Sequence, residues 1–213
     1  MEFTELLEIV GDEPVFETGL LLVGEVDPAN VRRQLSRWTA AGRIYQLRRS
    51  VYALAPPYQK VTSHPFVVAN ALVDGSYVSL QTALARYGMI PEYTPIVTSV
   101  TTGRPGRWET PLGVYAFRHV KTDWFHGYRR LEVDGGQRAF VAMPEKALLD
   151  LVYLEPGADQ PAYLAELRLQ ALDRLDRERL DWLARESGSP KLQRAAQAIA
   201  ALAQAEAAEY ETL

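Results

Sequence analysis

Across Asp27 to Pro56, DPANVRRQLSRWTAAGRIYQLRRSVYALAP, the apolar positions run first at the period of a helix and then at that of two short strands. Val31, Leu35 and Trp38 fall on one side of a helix. Asp27 suits its N-cap, Pro28 its first position, where no amide donor is needed, and Gly42 a left-handed C-cap, so the pattern predicts a helix over about Pro28 to Ala41. Arg43 to Leu47 and Val51 to Leu54 read as strands joined through Arg48, Arg49 and Ser50, a hairpin with a basic tip. Upstream, a helix is expected over Thr4 to Val10. A second, short helix is expected to start at Thr18 as its cap and run to about Val23, and Gly24 to Val26 turn the chain into the long helix. Helix, turn, helix and hairpin in that order predict a winged helix-turn-helix over residues 1–56.

After the hairpin, Pro56 and Pro57 with Tyr58 to His64 read as a linker, and a second domain over residues 63–213 is expected. Pro65 to Val73 and Leu80 to Tyr87 have helical spacing, the second with Ser79 as its expected cap and Gly88 as its stop. The period then changes. Pro95 to Thr102 and Gly113 to Val120 are rich in β-branched and aromatic residues around a turn at Gly103 to Gly106, and Phe140 to Ala142 is a further short strand. Pro144 opens a helix to Leu154 that is apolar nearly all round, which marks a core helix. From Pro161 onward the chain reads as helical, over Ala162 to Leu172, Asp176 to Glu186 and Pro190 to about Glu209. The expected class is α+β: the winged helix, then a mixed α/β domain with a helical C-terminal extension.

Composition narrows the function without naming it. A hydrophobic content of 47% in 213 residues is ordinary for a globular protein. The absence of cysteine excludes disulfides, thiol catalysis and cysteine-ligated zinc. The acidic start MEFTELLEIVGDE is not expected to be a secretory signal, no stretch has the length of a membrane span, and a cytoplasmic location is expected. The net charge of -4 means that any nucleic-acid contact must come from a local patch.

Such a patch is present. Met1 to Val26 carries Glu2, Glu5, Glu8, Asp12, Glu13, Glu17 and Glu25 with no Lys or Arg. Asp27 to Pro56 carries Arg32, Arg33, Arg37, Arg43, Arg48 and Arg49 against Asp27 alone. One side repels a polyanion and the other attracts it. Asn30, Arg33, Gln34 and Arg37 are expected opposite the apolar stripe of the long helix. Arg offers a fork to guanine, and Asn and Gln a donor and acceptor pair to adenine. Arg32, Arg43, Arg48 and Arg49 are expected on the phosphate backbone. The plainer reading is a solvated basic face, or a winged helix that binds protein.

Elsewhere the chemistry is thin. Arg104 and Arg107 in TTGRPGRWETP read as two exposed arginines of a turn, or as a second nucleic-acid contact. Trp124, Phe125, Tyr128, Arg129 and Arg130 interleave aromatic and basic residues, as single-strand binders do, but also as half-buried loops do. Glu145, Lys146 and Asp150 superficially suggest a nuclease. Lys146 and Asp150 are spaced to pair along a helix, and no second acidic cluster joins them. His64, His119 and His126 are too scattered for a helical metal pair. No catalytic set, metal site or cofactor is expected.

Four stretches, GRIYQLRRSVYAL, GSYVSLQTALARYGMI, TSVTTGRPGRWETPLGVYAFRHV and VAMPEKALLDLVYL, span most of Gly42 to Leu154. In that order they resemble the AbiEi antitoxins of bacterial type IV toxin–antitoxin (abortive-infection) modules. The resemblance implies an N-terminal winged helix joined to a mixed domain, binding of operator DNA and repression of its own operon. It also implies antagonism of a nucleotidyltransferase-like toxin, without direct contact being required. The family's wing usually turns through Arg-Gly, and here the pair is Arg49-Ser50. Because one recognition helix reads few base pairs, repeated half-sites or a homodimer are expected. The alternatives from other classes are an enzyme or RNA-binding protein tethered to nucleic acid, and a protein-interaction module.

Overall fold

The computed structural model describes residues 1–92 and 94–211, with side chains as far as Glu206. The fold is mixed α+β, built from two sheets and the helices around them. In order come α1 (Phe3–Val10), β1 (Phe16–Glu17), a 3-10 turn (Thr18–Leu21), α2 (Pro28–Ala40), β2 (Ile44–Arg48) and β3 (Val51–Leu54). There follow α3 (Pro65–Leu72), β4 (Ser76–Val78), α4 (Leu80–Arg86), β5 (Ile96–Thr101), β6 (Gly106–Thr110) and β7 (Gly113–His119). The last elements are β8 (Tyr128–Val133), β9 (Gln137–Ala142), α5 (Pro144–Leu154), α6 (Pro161–Glu166), α7 (Arg177–Glu186) and α8 (Pro190–Glu211).

The first fifty-odd residues close around a small core. Leu6 and Val10 of α1, Val31, Leu35 and Trp38 of α2, and Ile44, Tyr52 and Leu54 of the hairpin are buried together. Strand order in the small antiparallel sheet is β1-β3-β2. Every residue of β3 is buried, because its two faces serve different cores: Tyr52 and Leu54 point into the small one, Val51 and Ala53 into the large one. Leu47 of β2 also joins the large core, and β2 lies alongside β6. The hairpin is therefore the wall shared by both cores.

The large core lies on a six-stranded sheet of order β6-β7-β5-β4-β9-β8, in which β5–β7 and β4–β9 are parallel and the other pairs antiparallel. Helix α5 packs against α4, α7 and α8, and its side chains from Glu145 to Val152 are all buried. The helix expected there from sequence is apolar nearly all round, and burial on every side is its structural counterpart.

Some expectations change. Thr18 does not cap a helix: Glu17 holds the N-cap position of a single 3-10 turn, and the Thr18 hydroxyl donates instead to the carbonyl of Ser50 at 3.4 Å. Ser79 makes no capping bond either; its hydroxyl donates to Asp150 at 2.7 Å. The aromatic and basic stretch from Tyr128 is not a loop but edge strand β8, paired to β9 from Tyr128↔Ala142 to Val133↔Gln137. Ala162 to Leu172 is not one helix, since α6 ends at Glu166 and a separate 3-10 turn spans Leu172–Arg174.

Candidate nucleic-acid interface

Helix α2 is fixed at both ends. The Ala29 amide donates to Asp27 Oδ1 at 2.9 Å and Pro28 occupies the first turn, where its missing donor is not needed. At the other end Gly42 takes φ of +68°, a conformation that carries little penalty only without a Cβ, and its amide donates to the Thr39 carbonyl at 3.0 Å. The Trp38 ring meets the edge of Phe3 with centroids 5.3 Å apart, so the helix cannot roll about its axis without breaking the core.

That anchoring determines which side chains face outward. Asn30, Arg33 and Arg37 are exposed in one row at helical spacing, and Ser36, not singled out by charge, sits among them. Arg32 is exposed on the flank of this row. Gln34 does not join it. Helical rotation carries Gln34 toward the buried stripe, where it is half-buried and its Oε1 has no hydrogen-bond partner. The outward row is thus Asn30, Arg33, Arg37 and Ser36, a correction to the set expected from sequence.

The hairpin tip is tight. Val51 pairs with Arg48 after a register shift between Gln46 and Arg48, leaving Arg49 and Ser50 to turn the chain. Ser50 takes φ of +70°, and its carbonyl accepts the Thr18 amide at 2.9 Å. Arg49 is exposed, whereas Arg48 is half-buried with a buried Nε that has no hydrogen-bond partner. Arg43 lies at the other end of β2, its guanidinium 4.9 Å from the centre of the Phe3 ring, and so is not part of the tip. Among the described residues no ion pair includes Arg32, Arg33, Arg37, Arg43, Arg48 or Arg49.

The other candidates separate. Arg107 is paired with Glu109 at 3.3 Å on β6, while Arg104 is exposed in the turn before it. Because β6 lies alongside β2, this turn belongs to a strand neighbouring the hairpin. His64 accepts the Phe66 amide at Nδ1, and burial lowers its pKa. His126 stands 3.9 Å from Glu186, and His119 Nδ1 is 3.0 Å from the Gly103 carbonyl. No group of three or more His, Asp or Glu among the described residues could hold a metal ion.

Lys146 and Asp150 are not arranged as a nuclease site. Both are fully buried, 2.6 Å apart, and Asp150 also accepts Trp124 Nε1 at 2.8 Å, Ser79 Oγ at 2.7 Å and the Tyr77 hydroxyl at 3.0 Å. Lys146 donates to the Trp124 carbonyl at 2.8 Å and sits 3.5 Å from the centre of that indole. Burial pushes its ammonium down to about 8 against the opposing pull of Asp150. Glu145 points elsewhere and accepts the Asp176 amide at 2.9 Å. A carboxylate with four donors and no solvent is a tie between elements. Its other three partners, Tyr77, Ser79 and Trp124, come from regions too distant in sequence for spacing to reveal.

No family model and no curated protein matches this chain. Among solved structures it is similar to the crystal structure of the RV2827C protein from Mycobacterium tuberculosis, at 18% identity with a TM-score of 0.52, covering 92% of this chain and 75% of that one. This is a likeness of fold. No described helix is long and apolar enough to cross a membrane.

Proposed function

We propose that the chain is a DNA-binding transcriptional regulator whose N-terminal unit, residues 1–56, is a winged helix with α2 as recognition helix and the β2–β3 hairpin as wing. The observation that carries this reading is the outward row Asn30, Arg33 and Arg37. It stands on a helix locked into the core, and none of its arginines is neutralised by a carboxylate among the described residues. Side chains of those types reach base edges in a major groove, Arg to guanine and Asn to adenine. Arg49 with Arg48 at the tip, and Arg32 beside the row, supply phosphate contacts. Arg104 extends them from the second unit.

Residues 63–213 are the antitoxin-like domain in this reading, and the sequence resemblance to AbiEi supports repression of its own operon in the cytoplasm and antagonism of a nucleotidyltransferase-like toxin. The burial of the Lys146–Asp150 network away from solvent supports a non-enzymatic role for the second unit. One helix reads too few base pairs to find a single operator among genomic competitors, so binding uses repeated half-sites about one helical turn apart, or a homodimer.

Footprinting of the DNA upstream of its own reading frame tests the reading. Two protected half-sites spaced by about one turn of the duplex, or a multiple, are expected. A uniform, sequence-independent protection would remove the regulator reading.

A further inference from the structure

Among the described residues, exposed large apolar side chains are concentrated in the N-terminal unit. Ile9, Leu20, Leu22, Val23 and Val26 are exposed within a short run of the N-terminal unit, Val23 at 78%, whereas Phe140, Trp182 and Leu202 lie on three separate elements. Ile9, Leu20, Val23 and Val26 line one groove of about 580 Å³ between α1 and the segment leading into α2. Contiguous apolar surface of this kind marks a contact site more often than an accident of composition.

The charged side chains on the border of the groove are of one sign. Glu5, Glu25 and Asp27 line it, no Lys or Arg does, and no described cation lies within 4.0 Å of these carboxylates. Glu5 accepts the Glu2 amide and Asp27 the Ala29 amide, bonds that orient the carboxylates without discharging them. An occupant must therefore bring apolar side chains for the floor and cations for the rim. Such a surface is found on an amphipathic helix whose apolar row is flanked by Lys or Arg.

Among the described residues, neither α2 nor α7 offers such a face from a second copy. The outward face of α2 is basic but has no large apolar residue, and Trp182 of α7 stands beside the Arg185–Asp181 ion pair, where the charges cancel. We infer that the groove between α1 and the segment before α2 docks a short basic amphipathic helix of a partner protein. The inference rests on the groove's own chemistry and stands whether or not α2 reads DNA. Asn30 lines the same groove, so an occupant sits at the edge of the outward row.

The test uses the full chain, isotope-labelled, titrated with a synthetic leucine–lysine amphipathic helix of roughly 15 residues, long enough to be helical when bound. The controls are a scrambled version of the peptide and a version with glutamate for lysine. Amide shifts confined to the stretch around Ile9 and Leu20 to Val26 are expected, with neither control binding. Ile9→Ser with Val23→Ser, both at exposed positions, should weaken binding by about tenfold or more. Glu5→Gln with Glu25→Gln should weaken it and flatten its dependence on salt. Shifts elsewhere, unchanged affinity in both groove variants, or equal binding of the glutamate peptide would overturn the inference. So would self-association of the free protein that the Val23→Ser change abolishes, since a second copy would then be the occupant.

Discussion

Lys146 Nζ lies 2.6 Å from Asp150 Oδ1, one helical turn along α5, and neither side chain has any exposure to solvent. Desolvating two charges is expensive, and the pair is tolerated because Asp150 accepts four hydrogen bonds and Lys146 donates one to the Trp124 carbonyl besides its bond to Asp150. Through Asp150 it ties α5 to β4, to the start of α4 and to the 3-10 turn over Thr122–Trp124. Leu80, next to Ser79, holds φ of +55° in the core, a strained conformation for a branched residue. The Ser79–Asp150 bond helps to hold it there.

Breaking this tie from one side should be severe. Asp150→Ala leaves a buried ammonium without its counter-ion and is expected to destabilise the fold by about 3 to 5 kcal/mol. Asp181→Ala, which removes the exposed Arg185–Asp181 pair at 2.7 Å, should cost less than about 1 kcal/mol. Urea unfolding of both variants beside the parent chain checks the contrast. Gly127 belongs to the same test: it has φ of +75°, and a Cβ there would lie 3.1 Å from the Lys146 side chain, so Gly127→Ala should also destabilise.

The pair should be visible in the pH dependence of stability. Below pH 8 both folded and unfolded chains hold the Lys146 proton, and the full penalty of the buried charge is present. Between pH 8 and the ordinary lysine range the folded chain has released it while the unfolded chain still binds it, so stability rises with pH there, by on the order of 1 kcal/mol per pH unit. Burial raises Tyr77 and pushes Tyr115 up to about 12, and these groups act oppositely once unfolded tyrosines ionise above about pH 10. Chemical unfolding of the parent and of Lys146→Met across this range is the measurement. A rise between pH 8 and 10 present in the parent and missing in the variant is expected.

At the hairpin tip the left-handed Ser50 is held by the Thr18 amide on its carbonyl. Ser50→Gly removes the Cβ penalty at that φ and should stabilise the chain by about 0.5 to 1 kcal/mol, less whatever the added freedom of the unfolded chain takes back. Thermal unfolding decides it. A loss of stability would mean that the tip conformation carries little strain.

What the sequence made legible follows a physical division. Helix α2, its caps and the hairpin were readable because they rest on local signals: an Asp–Pro start, a Gly stop and a change from helical to alternating period. Helix α5 was readable from its unbroken apolar surface. Strand β8 was not, because an edge strand exposes Arg129, Arg130 and Glu132 and so lacks a clean alternation. Strand β4, three residues long and buried throughout, has no period to detect. Ser79 was expected to cap a helix and serves Asp150, a partner 71 residues away that no local rule supplies. In the candidate interface, charge found the arginines but not their separation. Gln34 lies toward the core, Arg43 sits at the base of the hairpin over Phe3, and Arg107 is held by Glu109.

That separation makes the arginines distinguishable. Arg49→Ala is expected to weaken binding to operator and random DNA alike and to lower the salt slope by roughly one unit, as loss of one phosphate contact does. Arg43→Ala should change the slope less, since its guanidinium is engaged by the Phe3 ring away from the tip. Binding isotherms on both DNAs across a salt series compare them directly.

The proposal that α2 reads sequence is tested most directly by Arg33→Ala and Arg37→Ala, titrated against the footprinted operator and against random duplex DNA at one fixed salt concentration. Each is expected to lose on the order of 1 to 3 kcal/mol on the operator and far less on random DNA, so that preference for the operator falls while nonspecific binding persists. Unchanged preference in both variants would contradict the account, because the outward row of α2 would then not be the surface that reads the base pairs.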